Sequence, residues 1–180
     1  NIVLPIILMI MVISGAVTFT VFFTPLYYLD VKILDIPGQS GYSLDLISRN
    51  YDTLINYMSV FNHGELAFPD LAMSPMGKIH FEEVKNIFVI LQILLPITAA
   101  VGIPWSIYLC RKKHERFFFK IAGIITLALP VFLGIWAAIN FDSLFITFHK
   151  IAFRNDYWIF YPSLDPVINI LPEEFFMHAL

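Results

Sequence analysis

From Ile2 to Leu29 the chain carries no charged side chain, only small polar groups such as Ser14, Thr18, Thr20 and Thr24. A helix rises 1.5 Å per residue, so roughly 20 residues cross the ~30 Å hydrocarbon core of a bilayer. One such run already commits the chain to lipid. Two more follow, from about Asn86 to Cys110 and from Phe117 to Phe141, the latter with only Lys120 near its start. A last apolar stretch opens near Glu174 and runs to Leu180. The first run exceeds the 7–15 residues of a signal-peptide core and has no basic segment before it, so a retained span is expected. The fold expected is therefore all-α and polytopic. It has four transmembrane helices, the last incomplete within this sequence, in a single integral membrane domain over 1–180.

Composition supports this where it bears. Hydrophobic residues make up 58% and charged residues 14%, with a mean hydropathy of +0.75. Soluble domains run near 45–50% and about 25%. A soluble monomer, a disordered chain and a fibrous chain are excluded. A single cysteine, Cys110, excludes a disulfide framework. The net charge of −3 argues against a nucleic-acid partner.

Orientation follows from the short loops. Residues 111–116 hold four bases (Arg111, Lys112, Lys113, Arg116) against Glu115. Such a loop stays in the cytoplasm. Residues 30–83 then lie outside, with eight acids and three bases, and 142–173 lie outside with them. Pro96 and Pro104 are expected to kink the second span, with neighbours satisfying the carbonyls they free.

The outer segments are too long to be plain connectors. Leu44, Ile47, Tyr51, Leu54, Ile55 and Met58 recur at helical spacing, which predicts an amphipathic helix over about 43–60. Ser74-Pro75-Met76-Gly77 reads as a turn, after which a new helix carries His80, Glu83 and Val84 and runs on into the second span. Phe145 and Phe148 continue the third helix past Asp142. Pro172-Glu173-Glu174 opens a last helix, with acids in its first turn. Tyr157, Trp158 and Tyr161 fit an interfacial aromatic belt.

Chemistry concentrates on two histidines. His80 and His149 both fall near the outer end of a span, at similar depth, where an imidazole can act as a base near neutral pH. Glu83 lies one turn after His80 on the same face. Interfacial histidines also serve as simple hydrogen-bonding groups, and a zinc hydrolase using His80, Glu83, His149 and Asp156 or Asp165 has suitable donor types. Neither a nucleophile elbow nor a His-Glu-x-x-His pair is present. His63, His114 and His178 have no comparable setting. A non-enzymatic structural or accessory role stays open from the spans alone.

Two motifs narrow this. One is Ile79-His80-Phe81-Glu82-Glu83-Val84-Lys85. The other runs from Phe148-His149 through Asp156-x-Trp158-x-Phe160-x-Pro162-x-x-Asp165-Pro166 to Leu171-Pro172-Glu173-Glu174-Phe175-Phe176. Together they resemble the lipoprotein intramolecular transacylase family of Gram-positive bacterial membranes, over essentially the whole chain. The resemblance implies an acyltransferase of the cell membrane, working at the outer leaflet. Its substrates are diacylglyceryl-modified bacterial lipoproteins among the membrane lipids. The sn-2 acyl chain moves to the α-amino group of the same lipidated cysteine, giving a lyso-form lipoprotein. By the same resemblance His80 and His149 form the catalytic pair, with no cofactor, no metal and a monomeric enzyme. Glu83, Asp156, Trp158, Asp165 and Glu173 are the expected supporting residues, the carboxylates as groups that orient the imidazoles.

Overall fold

The computed structural model describes residues 2–113 and 115–179. Asn1, His114 in the basic loop and Leu180 at the end of the last apolar stretch lie outside them. The chain is all-α among these residues. In order, the helices are α1 (Val3–Phe22), α2 (Thr24–Ile33), α3 (Ile36–Ser40), α4 (Leu44–Tyr57), α5 (Pro75–Tyr108), α6 (Phe117–Ile139), α7 (Phe141–Ala152) and α8 (Glu173–His178). A π turn over Leu109–Lys113 extends α5, and a 3-10 turn over Pro166–Asn169 precedes α8. Among the described residues, three helices are long and apolar enough to cross a membrane: Val3–Phe22, Pro75–Lys112 and Phe117–Ile139.

The first apolar run does not stay one helix. Pro25 has no N–H to donate, and its ring clashes with the carbonyl four residues back. The helix therefore stops at Phe22, Phe23 leaves helical geometry, and α2 restarts with Pro25 in its first turn. α5 is the opposite case. Ser74 caps it by accepting from Gly77 N–H, and the helix then continues through both Pro96 and Pro104. The expected continuation of the third helix past Asp142 is broken instead. Asn140 is extended, ends α6, and caps α7 by accepting from Ser143 N–H at 2.8 Å.

α1 lies between α5 and α6 and packs on both. Small residues allow this. A Cβ at Gly102 would come within 3.2 Å of Ile7 and Leu8, and one at Gly15 within 3.4 Å of Leu95. Small side chains at helix crossings are how membrane helices approach closely. The faces turned away carry Ile90, Ile93, Ile97, Val101, Leu127 and Val131, all exposed. Lipid is the solvent that tolerates such a surface.

Two hydrophobic clusters close the ends. Near the basic loop, Leu4, Leu8, Leu109, Phe118 and Ala122 pack together. At the other end the chain builds a larger cap core from Tyr27, Val31, Ile36, Ile47, Tyr51, Leu54, Phe81, Val167 and Ile170, among others. The apolar stripe of α4 points into it, and Ser43 caps that helix by accepting from Leu46 N–H. Tyr27 is wholly buried, stacks on Tyr51 at 3.5 Å and donates its hydroxyl to Ile170 O at 2.8 Å. Asp30, on the next turn of α2, is also buried and binds His178 Nδ1 at 2.9 Å, which fastens α8 to the cap.

Candidate active site

His80 sits in the second turn of α5, where the helix leaves the cap core, and it is 6% exposed. His149 sits in the last turn of α7 and is 9% exposed. The cap at Asn140 ends α6 and starts α7, whose last turn brings His149 beside His80. The two imidazoles lie with centroids 5.9 Å apart and planes at 34°. Their surroundings are aromatic. Phe153 and Phe160 stand edge-on to His80 at 4.8 and 5.4 Å. Phe145, at 4.0 Å, and Trp158, at 4.8 Å, flank His149.

The polar contacts of the two rings differ. His149 Nδ1 meets the Phe145 carbonyl at 2.7 Å. A carbonyl can only accept, so the proton belongs on Nδ1 and the neutral ring keeps its lone pair on Nε2. Burial pushes the His149 imidazole below its ordinary value of 6.5, while the Phe145 hydrogen bond opposes that shift. His80 Nδ1 is buried with no hydrogen-bond partner among the described residues. A buried polar atom left unpaired costs free energy, and such atoms concentrate where a ligand or water completes the set.

The supporting residues separate into different roles. Asp165 is 3% exposed and reaches no imidazole. Its Oδ1 accepts from Ser74 N–H at 2.7 Å and its Oδ2 from the Ser74 hydroxyl at 2.8 Å. It thus grips the N-terminus of the helix that carries His80, where the helix dipole also favours a negative group. Gly77 is required beneath it, because a Cβ there would overlap Asp165 Oδ1. Glu83 Oε1 accepts from Asn155 Nδ2 at 2.8 Å, and its Oε2 is buried with no partner among the described residues. Trp158 donates its indole N–H to Asn155 O at 3.1 Å while its ring packs on His149. Asp156 is exposed, and its backbone carbonyl accepts from Ile159 N–H. Glu173 makes no hydrogen bond or ion pair with His80 or His149 among the described residues. A hydrogen bond shared with Asp142, then burial, then the neighbouring negative charges raise its carboxyl to about 7.

Sequence reasoning passed over Asn155, the contact between Ser74 and Asp165, and the Asp30–His178 pair. Asn155 stands just before the Asp156-x-Trp158 motif, and only the folded loop turns its amide onto Glu83. No three His, Cys, Asp or Glu side chains converge as a metal-binding set among the described residues. The arrangement is a buried, aromatic-walled pair of imidazoles at one end of a helix bundle. It is suited to moving protons on a lipid-borne substrate.

Comparison with known proteins agrees with that chemistry. A search of curated proteins gives no match. Solved structures do match. One is the in meso structure of the membrane integral lipoprotein intramolecular transacylase Lit from Bacillus cereus. It has 41% identity and a TM-score of 0.94, over 98% of this chain and 81% of that one. Two forms of the same Bacillus cereus protein, with a histidine replaced by arginine or by alanine, superpose with a TM-score of 0.85 at 41% identity. They too cover 98% of this chain, and 78% and 80% of their own. The family model described as lipoprotein intramolecular transacylase Lit matches residues 2–176, and the chain belongs to that family.

Proposed function

We infer that this protein is a lipoprotein intramolecular transacylase. It moves the sn-2 acyl chain of an S-diacylglyceryl cysteine onto that cysteine's own α-amino group and releases a lyso-form lipoprotein. Family membership carries the reaction class. The observation that carries the mechanism is the pairing of His80 and His149, from two separate helices, in an apolar pocket.

The reaction removes two protons from the substrate nitrogen, which begins as an ammonium and ends as an amide. One proton goes to the departing glycerol oxygen and the other to solvent. His149 Nε2, its lone pair fixed by the Phe145 contact, takes the first and frees the amine to attack. The reference pKa of an α-amino group is near 8, within reach of an imidazole base. The amine adds to the ester carbonyl, the tetrahedral intermediate collapses, and the C–O bond to glycerol breaks. His80 accepts the second proton or returns one to the alkoxide. Amine and ester belong to one molecule, so proximity supplies much of the rate. No step calls for a cofactor.

The site belongs at the outer leaflet. Arg111, Lys112, Lys113 and Arg116 favour a cytoplasmic loop, and the histidines lie at the opposite end of the bundle. The chain is then one membrane domain with 30–83 and 142–173 outside, and α8 begins a fourth span directed back inward. The test is coexpression with a lipoprotein and mass spectrometry of its N-terminal lipopeptide.

A further inference from the structure

Glu83 has an unfilled valence at the right place. Its Oε1 is held by Asn155, but its Oε2 is buried with no partner among the described residues. The residue lines a cleft of ≈ 330 Å³ with Asn86, Ile87, Ala152, Phe153 and Arg154. Phe153 is shared. One side of it helps form this cleft, and its ring stands edge-on to His80 at 4.8 Å. The cleft is therefore the immediate neighbour of the imidazole pair. Arg154 is exposed and forms no ion pair with Glu83 among the described residues.

We propose that Glu83 Oε2 binds the α-ammonium group of the lipidated cysteine, so that the cleft reads the free amino terminus of the substrate. This rests on the transacylase reading above and names the group that reading needs to place. An ammonium brings up to three N–H donors, and a charge-assisted hydrogen bond to a carboxylate is the strong kind. The substrate nitrogen is cationic when it arrives and neutral when it has been acylated. Glu83 thus holds the incoming substrate and releases the amide product. The role differs from orienting an imidazole, since the carboxylate already spends its other oxygen on Asn155.

Glu83→Gln separates this from a purely structural clamp. Its amide oxygen still accepts from Asn155, but its charge is gone. The probes are two lipopeptides with an N-terminal cysteine carrying an S-linked dialkylglyceryl ether, which cannot be transacylated. One has a free amine and the other is N-acetylated. Each is used to compete with an ester substrate. The wild-type enzyme should be inhibited by the free amine at about tenfold lower concentration than by the acetylated form. Glu83→Gln should bring the two within about threefold, and its KM should rise about tenfold or more while kcat changes less. Glu83→Asp, which keeps the charge, should retain part of the preference. A wild-type enzyme that does not distinguish the probes overturns the ammonium site, whatever the variants do. So does a Glu83→Gln enzyme with unchanged KM and preference. In both cases lyso product from the wild type leaves the transacylase reading standing. Failure of the wild type to form any lyso product overturns that reading and the site with it.

Discussion

Asp165 and Ser74 are ninety-one positions apart and meet through two hydrogen bonds, at 2.7 and 2.8 Å, at the start of α5. The contact ties the loop that follows α7 to the helix that bears His80. It therefore fixes the distance between elements that each supply one imidazole.

Asp165→Ala takes the acceptor oxygens from the half-buried Ser74 N–H and hydroxyl. A hydrogen bond to a charged group contributes about 1.5–3 kcal/mol. Thermal unfolding of the purified protein in detergent should show a clear fall in Tm. Turnover should fall further than the folded fraction does, because the histidine spacing loosens. Gly77→Ala should behave alike, since a Cβ there would overlap Asp165. An unchanged Tm in both variants would show that this link is not needed.

The sequence made some of these features legible. Ser43 reads as the opening of a helix, and the turn from Ser74 to Gly77 as the place after which the next helix starts, because cap and turn signals are local to a few residues. The histidines stood out because imidazoles near the ends of apolar runs are few. Other features depend on groups far apart in the chain. Asp30 lies one turn beyond the first long apolar helix and looks like an ordinary boundary acid. Its burial appears only when α8 brings His178 to it. Asn155 has no pattern at all until the loop closes on Glu83. Apolar continuity through Leu29 reads as one span, but the missing N–H of Pro25 splits it into α1 and α2.

The Asp30–His178 contact should be a stability element. His178→Ala strips a buried carboxylate of its one hydrogen-bond partner among the described residues. A loss of about 1–3 kcal/mol is expected, with Asp30→Asn intermediate. Urea or thermal unfolding measures it. No change in either variant would mean that α8 is held by its phenylalanines alone.

Two titrations act in opposite directions. His149 has a folded value below 6.5, so the unfolded chain binds its proton more readily. Its contribution to stability is complete above 6.5 and is lost as pH falls below 6.5 toward the folded value. The acid limb of kcat/KM should likewise have its midpoint below 6.5. Glu173 runs the other way, with a folded value of about 7. Its contribution is present below the ordinary carboxyl range and is lost as pH rises through 7. Glu173→Gln should flatten the alkaline fall in Tm, and a steeper fall would contradict a Glu173 carboxyl raised by its neighbour Asp142.

Orientation is checked by labelling intact cells, in a Cys110→Ser background, with a membrane-impermeant maleimide. His63, Ser163 and Arg111 are exposed positions suited to single cysteines. Cysteines at His63 and Ser163 should react, and one at Arg111 should react only after the membrane is opened. Labelling of Arg111 alone would turn the protein over and put the site at the inner leaflet.

The most direct measurement is the N-terminal lipopeptide of a coexpressed lipoprotein, read by mass spectrometry with each enzyme variant confirmed in the membrane. The wild type should convert the diacylglyceryl form to the N-acyl, S-monoacylglyceryl form. His80→Ala and His149→Ala should each lower the initial rate by about 10²–10⁴-fold, the range for losing general acid–base assistance. Conversion at the wild-type rate in both variants would contradict a catalytic histidine pair.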